Sequence, residues 1–166
     1  MKFAVSSYSF SQYIRAGRIS QKGTIAKAKE MGFDAIEFTD LDVPEGVSEI
    51  AFAEQIREEC EKCAMPVSNY TIGADFLSAD VDAEIERVKK KVDVAAVLGA
   101  PGLRHDATWQ RPATPRGFAN ILPALAAPIR RVTEYAATKG IRTMVENHGF
   151  FVQDADRVEA LINTVD

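Results

Sequence analysis

The chain has two cysteines, two histidines and one tryptophan in 166 residues, no excess of positive charge and no long apolar run. Each shortage excludes a class of protein. Cys60 and Cys63 stand in C-x-x-C spacing, but a zinc site needs a second ligand pair and none stands out. A thioredoxin-type pair sits at a helix N-terminus, where the dipole lowers the thiol pKa, whereas this pair falls near the end of a helix predicted over 48–64. The two cysteines are therefore expected to pack as small apolar groups. A net charge of −4 and a pI near 5.3 give no diffuse basic field, so a nucleic-acid partner is not expected. The opening Met1-Lys2-Phe3-Ala4-Val5-Ser6 lacks the apolar segment and cleavage site of a signal peptide. No apolar run approaches the roughly 18 residues of a membrane span. A cytoplasmic protein without a membrane partner is the expectation.

What the chain does contain is 46% hydrophobic and 27% charged residues, an ordinary balance for one globular domain with a real core over residues 1–166. Its organisation is regular. Strands are predicted over 2–7, 34–39, 67–72, 102–105 and 142–147, and helices over 20–31, 48–64, 82–98 and 118–139, with a fifth beginning near Asp154. Three helices end at Gly32, Gly99 and Gly140 just before a strand, which gives short connections there and leaves the longer loops after the strands. Alternation without a hairpin signal implies a parallel sheet with right-handed crossovers, repeating at roughly 30 residues per unit.

Two parallel architectures compete. A dinucleotide fold needs a glycine-rich turn after its first strand, and Ser6-Ser7-Tyr8-Ser9-Phe10 has no glycine to admit a pyrophosphate. A (β/α)8 barrel is the better fit, although a whole one takes about 250 residues and eight units. Five are expected here. In such a barrel the carboxyl ends of the strands share one rim, so polar residues recurring there converge.

The last strand ends Met144-Val145-Glu146-Asn147-His148-Gly149. Side chains alternate along a strand, so Glu146 and His148 share a face while Asn147 turns away unless the strand has already ended. A carboxylate there offers hard oxygen to a divalent cation and can take a proton from carbon; its bland role is an ion pair with a nearby Arg or Lys. His148 is either a ligand contact or a hydrogen-bonded structural residue. Glu37 would face inward with Thr39 if Ile36 and Phe38 face the helices, and it could bond a hydroxyl or hold a neighbouring cation. Asn69 and His105 end strands three and four, each a candidate contact to substrate oxygen. Trp109 either walls a sugar ring or packs under its loop, 106–116. Arg104, Arg111 and Arg116 would suit a phosphate, or stand solvated.

The segments Lys2-Phe3-Ala4-Val5-Ser6-Ser7-Tyr8-Ser9-Phe10, Met31-Gly32-Phe33-Asp34-Ala35-Ile36-Glu37-Phe38 and Val145-Glu146-Asn147-His148-Gly149 resemble the sugar phosphate isomerase/epimerase superfamily, the xylose isomerase-like TIM barrels. The resemblance covers the first five-eighths of that fold and implies a longer whole protein, with a self-complementary dimer of partial barrels as the lesser alternative. It implies that Glu146 is the first ligand of a divalent metal (Mn, Mg, Co or Zn) and an acid/base, the other ligands coming from strands six to eight. Tyr8, Glu37, Asn69, His105, Trp109 and His148 would then contact a small carbohydrate substrate. The implied activity is isomerisation or epimerisation in carbohydrate metabolism, by proton transfer next to a carbonyl. Dehydration of a keto-inositol and non-catalytic carbohydrate binding are the alternatives. An abasic-site endonuclease is disfavoured, because its metal cluster uses more histidines than this chain has.

Overall fold

A computed structural model describes residues 1–110 and 115–166 of the chain. Arg111 lies outside the described residues, and so does the side chain of Arg116, so their candidate phosphate contacts fall outside them too. The elements are β1 (Ala4–Ser6), a 3-10 turn (Ser7–Phe10), α1 (Ser11–Arg15), α2 (Gly23–Glu30), β2 (Ala35–Thr39), α3 (Glu49–Lys62), β3 (Val67–Ile72), α4 (Val81–Leu98), β4 (Gly102–His105), α5 (Pro115–Thr138), β5 (Arg142–Val145) and α6 (Ala155–Val165). The five strands form one parallel sheet in the order β1-β2-β3-β4-β5. That is the order of successive βα units, five of the eight that make a barrel.

Two departures from the sequence reading have local causes. The segment after β1 is not a plain loop: Ser6 accepts a hydrogen bond from the Tyr8 amide and starts the 3-10 turn, which runs into α1. β5 ends at Val145, two residues earlier than expected, because the chain turns at once and the His148 amide donates to the Glu146 carbonyl at 2.8 Å.

The chain divides into two compact units, residues 1–71 with 93–103, and residues 72–92 with 104–166. In the first, β1 and β2 pair in parallel with Ser6 opposite Glu37, and β2 pairs with β3 so that Glu37 stands opposite Asn69. Ile36 and Phe38 are fully buried while Glu37 is only half-buried, the two-residue alternation of a strand whose apolar face meets helices. Gln21, itself buried, ties the loop after β2 by donating to the Thr39 and Asp40 carbonyls and accepting from the Asp42 amide. α3 begins at Ser48, whose hydroxyl accepts from the Ala51 amide, a standard N-cap. It stops at Ala64, which takes the left-handed conformation at φ +47° where glycine usually serves. Cys60 is buried on this helix. Burial, then the neighbouring Cys63 and the Glu59 and Glu61 charges, push its thiol up to about 12, as suits a packed group rather than a reactive thiolate.

The second unit packs Phe76, Ile85, Val88 and Val92 in one stretch and Leu125, Ile129, Val132, Phe151 and Leu161 in the other, all buried. α5 carries Pro123 and Pro128 within its length; each lacks the N–H that would bond the preceding turn. Thr133 of α5 and Thr143 of β5 share a hydroxyl hydrogen bond at 2.9 Å. No described helix is long and apolar enough to cross a membrane.

Candidate active site

The polar side chains at the ends of β4 and β5 pair with one another in two adjacent rungs. Arg104 lies in β4 with Asp106 just past its end at the next alternate position, and Glu146 and His148 follow β5. The Arg104 Nη2 group is ion-paired with Glu146 Oε2, and His148 Nδ1 donates to Asp106 Oδ1 at 2.8 Å. Arg104 also reaches Asp106, with Nη1 3.4 Å from Oδ1. Asp106 is the buried centre of this array, its side chain 3% exposed, while that of Glu146 is 47% exposed and that of His148 about half-exposed. A buried carboxylate is tolerable only when charge and hydrogen bonds compensate it. Here a guanidinium and an imidazole do so.

Trp109 closes one side. Its indole is 53% exposed and stands edge-on to the His148 ring, with centroids 5.5 Å apart and planes at 81°, a favoured aromatic geometry. The fit depends on Gly73, because a Cβ there would stand 3.3 Å from Trp109 Cζ2. The loop carrying Trp109 is clasped to the loop after β3: the Phe76 amide bonds the Ala107 carbonyl at 3.0 Å, the Thr108 hydroxyl donates to Asp75 Oδ1 at 2.5 Å, and Gln110 Nε2 donates to the Leu77 carbonyl at 2.6 Å. α4 braces the same loop. Glu84 accepts from the Asp75 amide, and Arg87 donates to Glu84 and to the Gly73 carbonyl. Burial pushes the Glu84 carboxyl up, but Arg87 and the Asp75 amide together hold it below its usual range.

Beyond Glu146, the edge of β5 and helix α6 border an open groove of about 750 Å³, lined by Met144, Glu146, Asn147, Val158, Glu159 and Ile162 among others.

The remaining sequence candidates divide. In the first unit, Asn69 Nδ2 donates to Glu37 Oε2 at 3.4 Å and to Thr71 Oγ1 at 3.3 Å, and the buried Asn69 Oδ1 has no partner among the described residues. Tyr8 lies on the 3-10 turn and is solvent-exposed. His105 differs from its expected place: it is fully buried, its Nδ1 donates to the Asp106 carbonyl at 2.9 Å, and its ring meets Phe76 edge-on at 5.4 Å. The cause is strand alternation. Arg104 takes the face that leads to Glu146, and so His105 turns into the core, where its Nε2 has no partner among the described residues. Burial lowers its pKa. Arg104 is paired with two carboxylates through its Nη groups, while its Nε has no partner among the described residues. Asp106 is the residue that sequence reading missed; the signal available was the alternating, oppositely charged pair Arg104-x-Asp106 facing Glu146-x-His148.

For a divalent cation the described residues offer too little. No group of three His, Cys, Asp or Glu side chains surrounds a common point among them, and Glu146, the one hard-oxygen donor expected, has Oε2 held by Arg104. These residues do not by themselves make a metal site.

A parallel sheet of successive βα units with charged residues converging just past its strand ends defines the class. The family model described as xylose isomerase-like TIM barrel matches residues 25–166, and the chain belongs to that family. No curated protein matches it. Solved structures do. A probable 3-DHS dehydratase of petrobactin synthesis from Bacillus anthracis is 20% identical, with a TM-score of 0.77, over 100% of this chain and 60% of that one. A xylose isomerase-like TIM barrel protein from Mycobacterium smegmatis in complex with magnesium is 17% identical, with a TM-score of 0.72, over 99% of this chain and 61% of that one. A 3-keto-D-glucoside 4-epimerase from E. coli is 18% identical, with a TM-score of 0.59, over 75% of this chain and 49% of that one. The chain thus spans between about half and 61% of the length of these neighbours.

Proposed function

We propose that the chain belongs to an isomerase or epimerase that moves a proton next to a carbonyl of a sugar or sugar-like polyol. The observation that carries this is the pair Glu146 and His148, both about half-exposed and both anchored from beneath by Arg104 and Asp106. Glu146 is the group that takes the proton from carbon and returns it, fixed in place by the guanidinium at Oε2. His148 orients a hydroxyl, and Trp109 gives the ligand an apolar wall that keeps water from that side. In the first unit, taken by itself, the Glu37 carboxylate, the Asn69 side chain, whose Oδ1 has no partner among the described residues, and the exposed Tyr8 are proposed as hydroxyl-binding groups.

A divalent ion, where the whole protein binds one, would polarise the carbonyl oxygen. Glu146 is proposed as this chain's contribution to its ligands, with the others supplied by residues outside those described. The magnesium complex of the Mycobacterium smegmatis protein supports this reading.

A dehydratase is the second reading, favoured by the Bacillus anthracis neighbour. Glu146 would again take the proton beside the carbonyl, and the β-hydroxyl would then leave as water, carrying a proton from an acid.

The test is proton exchange in deuterated water, followed by NMR over a panel of ketoses and ketopolyols, with bound metal counted on the same sample. Expected is deuterium entering the carbon next to the carbonyl with wild-type protein and not with Glu146→Gln. Exchange that survives Glu146→Gln unchanged, or none by the wild type on any member of the panel, overturns the reading. An enone absorbance appearing alongside exchange selects the dehydratase.

A further inference from the structure

Asp106 is a loop residue with the burial of a core residue, and its one solvent-facing partner is His148. An ionised carboxylate only accepts hydrogen bonds. The 2.8 Å contact between Asp106 Oδ1 and His148 Nδ1 therefore puts the imidazole proton on Nδ1. Free imidazole side chains favour the opposite arrangement, with the proton on Nε2, so this contact works against the ring's own preference. Among the described residues nothing is bonded to His148 Nε2, and half of the side chain is exposed. The Trp109 indole fixes the ring's remaining freedom from its edge.

We infer that Asp106 is a positioning residue: it holds His148 as the Nδ1–H tautomer, so that Nε2 stands toward solvent as a lone-pair acceptor for an uncharged donor, a ligand hydroxyl. The surroundings select against an anion at this point. The Asp106 carboxylate is bonded to the ring, and the Arg104 guanidinium is engaged by both Asp106 and Glu146. Among the described residues a phosphate or carboxylate of the ligand therefore meets no free guanidinium at His148, whereas a hydroxyl has an acceptor. The inference rests on the proposed function for the identity of the ligand only. The tautomer follows from the two side chains alone.

The experiment is a long-range proton–nitrogen NMR spectrum of the protein labelled with 15N in histidine, recorded in mildly alkaline buffer without ligand. There are two histidines, so His148→Gln assigns both. Expected in the wild type is a pyrrole-like Nδ1 and a lone-pair Nε2 for His148. In Asp106→Leu the ring should revert to Nε2–H. His105 serves as an internal control, since its Nδ1 donates to the backbone carbonyl of residue 106, which that substitution retains. A wild-type His148 found as Nε2–H, or an Asp106→Leu ring that stays Nδ1–H, overturns the inference. If Asp106→Leu does not fold, the wild-type spectrum decides alone. Because no substrate or turnover enters this measurement, the tautomer and the proposed reaction fail or stand separately.

Discussion

Arg104 holds the exposed carboxylate of Glu146 at one nitrogen, yet it is Asp106, the buried neighbour of Glu146 on the guanidinium, that depends on the arginine for its charge balance. The two carboxylates respond differently to losing it. Arg104→Met should destabilise the protein by about 2–3 kcal/mol, because Asp106 keeps a buried charge with, among the described residues, His148 alone to satisfy it. Glu146→Gln should cost less than about 1 kcal/mol, since a half-exposed ion pair contributes little. Urea unfolding of both variants checks the order, and equal losses would show that the buried carboxylate is not the sensitive partner.

Gly73 has a steric task. A methyl group at this position meets Trp109 Cζ2 at 3.3 Å, so Gly73→Ala should shift the indole by a few tenths of an ångström and loosen its edge contact with His148. The expected readout is a changed near-ultraviolet signal of the single tryptophan, with a stability loss of about 1 kcal/mol. An unchanged spectrum would mean that the indole has room to spare.

At Ala64 the substitution runs the other way. A β-carbon in the left-handed region costs about 1 kcal/mol or more, and the chain needs that conformation to leave α3. Ala64→Gly should therefore stabilise the protein by about 0.5–1 kcal/mol, after the extra freedom glycine gives the unfolded chain. Thermal unfolding reads it directly.

His105 ties stability to acidity. Burial lowers its pKa from the ordinary 6.5, as does the charge of Arg104, while the bond to the Asp106 carbonyl and the Asp106 charge oppose the fall. With the folded pKa below the unfolded one, the unfolded chain binds the proton more readily. This contribution is intact above pH 6.5 and is lost as the pH falls from there toward the folded-state value. His105→Gln should remove that part of the acid dependence. Stability curves of the two proteins that stay parallel below pH 6.5 would show that the buried imidazole is not its source.

The regular part of the fold was readable because each βα unit carries its own signals. Ile36 and Phe38 alternate with Glu37, Ser48 caps α3, and Gly32, Gly99 and Gly140 end helices in the left-handed conformation. The 3-10 turn and α1 were not readable. Four serines among residues 6–11 look like a loop, and five residues of α1 are too few to show an amphipathic stripe. At the site, Glu146 and His148 stood out by type and spacing. Their partners did not, because nothing local says that residue 104 will face residue 146, or 106 face 148. That pairing is set by the register of two strands some forty residues apart in the chain. Alternation along β4 then turns His105 inward, which its chemistry alone would not suggest.

The three hydrogen bonds that clasp residues 75–77 to residues 107–110 bear on how this family can diversify. Two loops joined at three points shift as one body, so neither can lengthen or change its path without pulling the tryptophan with it. Insertions in one loop should therefore be accompanied by compensating changes in the other. New ligand preferences at this corner would then arise by exchanging the joined pair, rather than by the independent drift of single loops.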